Sequence, residues 1–490
     1  MSNLVNRDQT TWSTHGGATH LCRCLPHYLQ LTLCRFLVQN YTCNFSSAVV
    51  VMATDGDWES VHTLSARETD QNNGRRKVLR ALEEKIAVFL FLIFVCLFIT
   101  LVNIESIRVD FPPLNVSVLP SGVNCTKVWQ GDLSEISGTK FLWSVPARRP
   151  PGFYDNITTD CPKYRRETGY IEQVSEEEKA FPLAFSILLY KDMEQVERLL
   201  RAVYRPHNLY CLHTDLKASA QVQRQITALI TCLPNVFQAP RQVEVVWGTF
   251  TVLEPELICM EALLRRSKRW RYFINLTGQE FPLKTNKELV AILQAYRGAN
   301  DIFGRYVPSF AHRWKRAGPP PHNMTVAKGP VHMAASREFV DFSLHSTYAR
   351  DLLTWIQKTS FPDESFFTTL NNQHQLGVPG AYTGEPDCPQ RQTVNRYKVW
   401  FDFWSDQECN GKWVRQICNF GLGDIHHMVD SVFMFANKFS YDLQPQALDC
   451  LEQWYFSRIQ REEATGSLDL TVGFYSNLDI VKQALRKSLT

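Results

Sequence analysis

The sequence predicts an α/β fold, a largely parallel sheet flanked by helices, preceded by a single membrane-spanning helix. Segments typical of strands and helices alternate from residue 181 onward, and this alternation indicates βαβ units. An uncharged and strongly apolar segment lies before them. The chain has 490 residues, of which 44% are hydrophobic and 21% charged, so most of it is expected to be globular rather than disordered.

The apolar segment covers residues 86–104 and reads IAVFLFLIFVCLFITLVNI. As a helix it is long enough to cross a hydrocarbon layer of about 30 Å. It begins too far from the N-terminus for a cleaved signal peptide, and such a run rarely lies in a soluble core. Arg108 alone follows it closely, whereas the basic residues before it are Arg75, Arg76, Lys77, Arg80 and Lys85. The positive-inside rule therefore predicts a type II signal anchor at 86–104 and a cytosolic segment at 1–85.

The part beyond the span is expected to lie in the lumen or outside the cell. Residues 105–179 are rich in proline, serine and glycine, which is typical of a stem and N-terminal tether, and residues 180–490 form the expected globular domain. Asn275 lies in the apolar stretch YFINLTG, so its glycosylation sequon is expected to be buried. The other predicted glycosylation sites are Asn115, Asn124, Asn156 and Asn323.

Cysteine content and net charge restrict the compartment and the partners. Nine of the 14 cysteines follow the span, and in an oxidising lumen most of them should pair and leave one thiol. The net charge of +3 is too small to indicate a nucleic-acid partner.

The alternating segments place several polar residues at strand ends. Ligands in open α/β sheets bind beyond the carboxyl ends of strands, where Tyr190, Asp215 and Gly278–Glu280 are found. For Asp215, helix capping and nucleotide contact are both open interpretations. We predict strands at 183–190, 208–214, 243–247 and 272–276, and helices at 193–203, 218–233, 254–266, 286–296 and 349–358.

The stretch SFPDESFF, at Ser360–Phe367, contains the strongest candidate for a catalytic residue. Proline suits the first position of a helix and acidic residues suit its first turn, so a helix start is one interpretation. The other is that Glu364 is a general base while Asp363 serves the helix start. The two are compatible, because a helix N-terminus would hold Glu364 and favour its ionised form. Aromatic residues that suit a core or a sugar-stacking surface follow at Trp400, Phe401, Phe403 and Trp404.

Several sequence blocks between Cys125 and Cys450 resemble one known family. They read FPLAFSILLYKDMEQVERLLRAVYRPHNLYCLHTD, YFINLTGQEFPLKTN, SREFV, SFPDES, GLGD and FANKF. With the type II span and the cysteine spacing, they resemble the core 2/I-branching β-1,6-N-acetylglucosaminyltransferases of glycosyltransferase family 14. The resemblance implies a GT-A-like fold, a Rossmann-like mixed sheet flanked by helices, with residues 180–490 as the catalytic domain in the Golgi lumen.

The same resemblance implies a reaction and its residues. The reaction is an inverting, metal-independent transfer of N-acetylglucosamine from UDP-GlcNAc to the 6-hydroxyl of galactose or GalNAc, in an O-glycan or a related glycoconjugate. Glu364 matches the general base, Arg415 and Lys438 match the pair that holds the diphosphate, and Asp215 matches a nucleotide contact. Arg313 and Trp400 match acceptor contacts, and a homodimer is left open. The implied disulfides are Cys125–Cys450, Cys161–Cys232, Cys211–Cys259 and Cys409–Cys418, with Cys388 left over.

The residues themselves are consistent with metal-independent chemistry. A D-x-D motif, which could hold a cation beside the phosphates, occurs only at Asp55-Gly56-Asp57, on the predicted cytosolic side. We therefore expect no metal ion or other cofactor, and a second means of neutralising the departing UDP. Arg415 and Lys438 suit this role, although a solvated surface charge is the alternative for either one alone.

The acceptor half departs from the family pattern. Phe303 and Phe310 stand where the branching enzymes present a glutamate and a lysine, Asp402 replaces a tyrosine, and Thr277 replaces a free cysteine. Three functions are consistent with this pattern. The chain is an active β-1,6-N-acetylglucosaminyltransferase, a family member with an altered donor or acceptor such as a xylosyltransferase, or a non-catalytic luminal protein that binds glycans or UDP.

Overall fold

The computed structural model describes residues 122–139, 149, 152–401 and 408–486. All of them belong to one compact unit, Val116–Thr490. The predicted cytosolic segment, the predicted span at 86–104, most of the stem, Asn115 and Asp402 lie outside these residues. Within them, every helix is too short or too polar to cross a membrane.

The structure is mixed α/β around a mainly parallel sheet of five strands, as predicted. The strands of the described residues are β1 (Leu183–Leu189), β2 (Leu209–Thr214), β3 (Val236–Gln238), β4 (Tyr272–Thr277), β5 (Glu280–Pro282), β6 (Ala334–Ser336), β7 (Arg396–Tyr397), β8 (Lys412–Val414), β9 (Ile417–Asn419) and β10 (Phe435–Asn437). The main sheet has the order β3-β2-β1-β4-β6, in which only β6 is antiparallel to its neighbour. A second sheet has the order β5-β10-β7, and β8 and β9 form a hairpin.

Helices cover both faces of the main sheet. In the described residues they are α1 (Cys125–Trp129), α2 (Leu133–Thr139), α3 (Cys161–Thr168), α4 (Glu176–Ala180), α5 (Met193–Val203), α6 (Ala220–Thr231), α7 (Glu254–Arg266), α8 (Asn286–Tyr296), α9 (Arg337–His345), α10 (Thr347–Ile356), α11 (Phe366–Asn371), α12 (Ile425–Val429), α13 (Pro445–Thr465), α14 (Val472–Ser476) and α15 (Asp479–Arg486). Short 3₁₀ turns, including Pro308–Arg313 and Pro362–Glu364, occur between them.

The sequence of β1 explains why it lies at the centre. Successive side chains of a strand point to opposite faces, so Phe185 and Ile187 join one hydrophobic cluster and Ala184 joins the other. Leu199 of α5 belongs to the first cluster, and Leu263 of α7 belongs to the second. A strand buried on both faces needs the nearly continuous apolar run that LAFSILL supplies.

The predicted helices at 193–203, 254–266 and 286–296 are confirmed at both ends. The predicted strand at 243–247 is wrong, and the third parallel strand is β3 instead. The segment 243–247 lies beyond the carboxyl end of β2, outside the sheet. Three of its backbone N–H groups therefore donate to side chains and not to a neighbouring strand. The backbone N–H of Val243 donates to Nε2 of His213 at 2.9 Å, and that of Val246 donates to Thr251 at 2.8 Å.

All four disulfides implied by the resemblance are present. Cys125–Cys450 links α1 to α13, and Cys211–Cys259 links β2 to α7. Cys161–Cys232 and Cys409–Cys418 complete the set, and Cys388 is a buried free cysteine.

The glycosylation sequons differ in exposure. Asn275 is buried, as predicted, and its side chain bonds to the backbone of Val331 and Met333. Asn156 and Asn323 are exposed. Asn124 is partly buried, and its side-chain oxygen caps α1 by accepting from the backbone N–H of Lys127. Glycosylation at Asn124, Asn156 and Asn323 stays a prediction.

Candidate active site

A cavity of about 330 Å³ opens at the carboxyl ends of the parallel strands. Its lining includes Leu188–Asp192, at the end of β1, and Asp215, which directly follows β2. Thr277–Gln279, at the end of β4, and Lys438, which directly follows β10, also line it. The residues predicted at strand ends are therefore brought together, at the position where open α/β sheets bind ligands.

Asp215 forms part of the cavity wall and does not cap the following helix. One carboxylate oxygen accepts from the backbone N–H of Lys217 at 2.8 Å and from that of Val245 at 3.4 Å. Helix α6 is capped by Ser219, whose hydroxyl accepts from the backbone of Val222. The capping interpretation of Asp215 is thus wrong, because Ser219 fills that position.

Lys438 and Arg415 are two cations from different elements that act on one another. Lys438 directly follows β10 and lines the cavity, while exposed Arg415 occupies the turn between β8 and β9. Partial burial, together with the positive charges of Arg415 and Lys191, lowers the pKa of Lys438. Lys191 is ion-paired with Asp192 and Asp442, at 3.0 and 3.3 Å, whereas Lys438 and Arg415 form no ion pair within the described residues. These two cations therefore suit an anion with several negative charges.

The Lys438 backbone is held at both neighbouring positions. Its carbonyl accepts from the N–H of Phe420 at 3.0 Å, and the N–H of Phe439 donates to Gln279 at 2.8 Å. The backbone at Lys438, which directly follows β10, is therefore fixed by hydrogen bonds to two neighbouring segments rather than left in a free loop.

Glu364 ends the 3₁₀ turn Pro362–Glu364, and helix α11 begins after it, at Phe366. A helix thus begins close to the predicted position, which confirms the helix start. Glu364 precedes the first residue of this six-residue helix, however, and does not lie in its first turn. The Glu364 carbonyl accepts from the backbone N–H of Gly329 at 2.9 Å. Its side chain is partly buried and turns toward cations rather than toward the helix terminus.

The carboxylate of Glu364 has two cationic partners. The guanidinium of Arg313 donates a hydrogen bond to Oε2, and Nζ of Lys328 lies 3.9 Å from the same oxygen. The Arg313 guanidinium lies between two rings, 4.5 Å from the centroid of Phe310 and 4.4 Å from that of Phe361. These two ring contacts restrict the guanidinium, which therefore holds the carboxylate in one orientation.

Arg313 was expected to contact the acceptor, and the structure places it against the base. Phe310, one of the positions that departs from the family, forms one wall of this sandwich and also lies 5.3 Å from Nζ of Lys328. The phenylalanine at this position therefore contacts the two cations that lie against Glu364. Sequence reasoning missed Lys328, since it follows a proline-rich loop and no motif contains it.

Glu280 organises a buried polar network beneath the cavity. It is fully buried and accepts from Nε of Arg396 at 2.8 Å, from Asn437 at 3.0 Å and from Thr277 at 3.1 Å. Nδ1 of His332 lies 3.5 Å from the same carboxylate. Thr277, the second departure from the family pattern, thus supplies a hydrogen bond that supports the cavity floor.

Lys398 is a further basic residue of the cavity wall. Its ammonium lies 4.6 Å from the ring centroid of Trp400. Burial is the main reason that the pKa of Lys398 is lowered to about 8; the charge of Lys438 acts in the same direction, and the carboxylates of Glu280 and Glu364 oppose it. Lys398 therefore lies within electrostatic reach of both Lys438 and Glu364. Its only signal in the sequence was a position two residues before a predicted site tryptophan.

The predicted acceptor side is exposed and aromatic. Trp400 is 46% exposed and pairs through its backbone with Ile417, which lines the cavity. Trp247 is 73% exposed, and its ring packs edge-on against Phe361 at 4.7 Å. Phe303 lies deeper, with the Arg391 guanidinium 5.9 Å from its ring.

One cluster of side chains in the described residues has ligand atoms close enough together for a metal ion, namely Cys409, Cys418 and Asp424. Two of these form a disulfide, so they offer no thiolate. Asp424 instead accepts from the backbone of Gly421 and Asn410, each at 2.8 Å. These residues stabilise a loop and do not suit a metal centre.

The family model described as Core-2/I-Branching enzyme matches residues 183–429. This chain belongs to that family. It is therefore a glycosyltransferase, and the matched range includes Asp215, Glu364 and Arg415.

The curated relatives agree. The chain is 33% identical over 400 residues to the human β-1,3-galactosyl-O-glycosyl-glycoprotein β-1,6-N-acetylglucosaminyltransferase, covering 74% of this chain and 93% of the relative. It is 35% identical over 331 residues to the human N-acetyllactosaminide β-1,6-N-acetylglucosaminyl-transferase, covering 62% and 80%. A solved structure, apo mouse xyloside xylosyltransferase 1, aligns at 15% identity over 39% of this chain and 83% of that one. Its TM-score of 0.24 is too low for an argument about fold.

Proposed function

We propose that this glycosyltransferase moves N-acetylglucosamine from UDP-GlcNAc to the 6-hydroxyl of a galactose or GalNAc, forming a β-1,6 branch on an O-glycan or related glycoconjugate. The names of relatives at 33% and 35% identity support the sugar and the linkage. The proposal includes a GT-A-type catalytic domain at 180–490 and a stem at 105–179. A signal anchor at 86–104 would hold the domain in the Golgi lumen as a type II protein.

The proposed reaction is an inverting displacement. A carboxylate oxygen of Glu364 takes the proton of the acceptor 6-hydroxyl as that oxygen bonds to C1 of the donor sugar. The bond from C1 to the UDP oxygen breaks at the same time, and the diphosphate leaves with the electron pair. Arg415 and Lys438 meet the negative charge that develops there, and no metal ion is required. Asp215 contacts the nucleoside end of the donor.

One observation carries the proposal. Gly329 donates its backbone N–H to the carbonyl of Glu364, and His332, three residues further on, lines the cavity that also contains Lys438. The candidate base therefore adjoins the segment that lines the candidate diphosphate site, as a displacement between two bound sugars requires. We assign Arg313 to positioning of the base, and Trp400 to stacking on the acceptor sugar.

The reaction is tested with the full-length protein, UDP-GlcNAc and UDP-xylose on a glycan array. Transfer from UDP-GlcNAc to acceptors with a free 6-hydroxyl is expected. Glu364→Gln should lower the rate by about 10²- to 10⁴-fold, because a proton acceptor is lost, while UDP affinity is unchanged. Glu338→Gln, which alters an exposed glutamate of α9, is the matched control.

The outcomes separate the alternatives. Binding of UDP without transfer to any acceptor would indicate a non-catalytic regulator, and transfer from UDP-xylose alone would contradict the proposed donor. Chelation of divalent ions by EDTA should leave the rate unchanged. A loss of activity that Mn²⁺ restores would contradict the role given to Arg415 and Lys438. Protease protection in sealed Golgi vesicles tests the luminal location of the catalytic domain.

A further inference from the structure

His332 is a buried histidine that the proposed reaction does not use. It is 4% exposed and lines the cavity that also contains Lys438 and Lys398. Its Nδ1 lies 3.5 Å from Oε1 of Glu280, whereas its Nε2 is buried and has no hydrogen-bond partner among the described residues. A buried polar atom without a hydrogen-bond partner is unfavourable, so a group inside the cavity that pairs with it would be favoured.

The environment of His332 determines its chemical form. Burial, together with the positive charges of Lys398 and Arg396, lowers the pKa of His332 well below its ordinary value, so the imidazole is neutral at physiological pH. A neutral imidazole carries one N–H, and the carboxylate of Glu280 can only accept a hydrogen bond. The proton therefore belongs on Nδ1, and Nε2 presents a lone pair.

The backbone holds His332 firmly in this place. The amide of Asn275 donates to the carbonyl of Val331 at 2.9 Å and accepts from the N–H of Met333 at 2.8 Å, on the two sides of the histidine. Gly329, three residues earlier, donates to the carbonyl of Glu364. One short segment thus joins the candidate base to the part of the cavity wall that carries the histidine.

Lys398 complements the histidine. Its ammonium is a donor in the same cavity and is close enough to affect the histidine electrostatically. The two side chains together offer one acceptor and one donor. An amide offers the reverse pair, an N–H and a carbonyl oxygen.

We propose that Nε2 of His332 and the ammonium of Lys398 recognise the acetamido group of the donor sugar, with Nε2 accepting its N–H and Lys398 donating to its carbonyl. This assignment rests on the proposed function and adds a determinant of donor specificity to it. Arg415 and Lys438 hold the diphosphate, which every UDP-sugar shares. His332 and Lys398 distinguish one UDP-sugar from another.

The test is calorimetric titration of the full-length protein with UDP, UDP-GlcNAc and UDP-glucose. The wild type should bind UDP-GlcNAc about tenfold more tightly than UDP-glucose, as expected for one buried hydrogen bond. His332→Phe should remove this preference and leave UDP affinity unchanged. His332→Gln keeps a side-chain acceptor and should retain part of the preference.

Each result decides something different. If the wild type binds none of the three nucleotides, the proposed function fails together with this inference. If UDP binds but the wild type does not prefer UDP-GlcNAc, or if His332→Phe keeps the preference, only this inference fails. Unchanged UDP affinity and an unchanged melting temperature show that the phenylalanine variant is folded, and loss of UDP binding by a folded His332→Phe chain would assign the histidine to the nucleotide instead.

Discussion

The donor side and the acceptor side of the candidate site are built in different ways. On the donor side, residues at the ends of β1, β2, β4 and β10 surround a cavity, and buried Glu280 joins Arg396, Thr277 and Asn437 beneath it. On the acceptor side, Glu364 and Arg313 lie on 3₁₀ turns, held by side-chain contacts with Phe310 and Phe361.

This difference indicates which side of the site can accept substitutions without losing its geometry. The position of a strand end is fixed by the hydrogen bonds of the sheet. The buried carboxylate of Glu280 beneath these strand ends is destabilised if its charged partner is replaced. The two 3₁₀ turns are also held by backbone hydrogen bonds, from the N–H of Ser360 to the carbonyl of Arg313 and from the N–H of Gly329 to the carbonyl of Glu364. Side chains around them can therefore be replaced while the candidate base stays in place.

Phe303 and Phe310 lie on the acceptor side, which is where we expect the acceptor to be chosen. Thr277 is a departure on the donor side, where its hydroxyl keeps a hydrogen bond to Glu280.

The largest effect is expected from breaking the donor-side network. Arg396→Met would leave Glu280 buried without its guanidinium, and we expect the free energy of unfolding to fall by about 3–5 kcal/mol, measured by urea denaturation. Arg305→Met is the matched control, because Arg305 and Asp387 are exposed and lie 3.7 Å apart, and it should cost less than about 1 kcal/mol. The double variant Arg396→Met/Glu280→Gln should recover part of the loss, and equal losses for the two single arginine variants would contradict this account.

The next largest effect is expected from removing one of the two cations that we propose to bind the diphosphate. We expect Lys438→Met to weaken UDP binding about 10- to 100-fold, since a partly desolvated ammonium contributes about 1.5–3 kcal/mol to a charged hydrogen bond. Titration calorimetry measures the change. Lys412→Met, which alters an exposed lysine on the hairpin that carries Arg415, should leave the affinity unchanged. A similar loss in both variants would show that net charge alone attracts the nucleotide.

On the acceptor side, altering Arg313 should change the rate and spare the donor. We expect Arg313→Met to lower kcat about tenfold with the KM for UDP-GlcNAc unchanged, because Glu364 loses its oriented partner but the cavity stays intact. Arg313→Lys keeps a charge between the two rings and should recover part of kcat. A rise in donor KM without a fall in kcat would place Arg313 in the donor site.

The smallest effect concerns Asp363, the neighbour of the base. Burial and the adjacent charge of Glu364 raise the pKa of Asp363 from 3.8 to about 6. Between these values the native state keeps a proton that the unfolded chain releases, so stability falls as pH rises through this window. Asp363→Asn removes the charge and should stabilise the protein by about 1–3 kcal/mol at pH 7, where the full rise in pKa sets the upper limit, and by only about 0.5 kcal/mol at pH 4. Thermal unfolding at both pH values measures this difference, and an advantage of the same size at pH 4 would contradict the ionisation account.

The sequence alone predicted the regular part of the fold. Helix α8 illustrates why, since Thr285 and Glu288 form a capping box and an apolar face follows, so its bounds are encoded within a few residues. The apolar run of β1 likewise predicted a buried strand. The disulfides and the candidate site residues came from the family resemblance, because no local pattern relates Cys125 to Cys450 or Arg415 to Lys438.

Only the tertiary structure decided how the site residues are partnered. Arg313 and Glu364 are 51 residues apart, and their pairing depends on where two 3₁₀ turns meet. Lys328, Lys398 and His332 belong to no motif, and their importance arises from a cavity whose walls come from distant segments. The segment 243–247 has the composition of a strand, yet the sheet ends before it and side chains take its backbone hydrogen bonds. Local propensity determines which elements can form, whereas burial and pairing between distant residues determine which polar groups face one another and which remain open to a ligand.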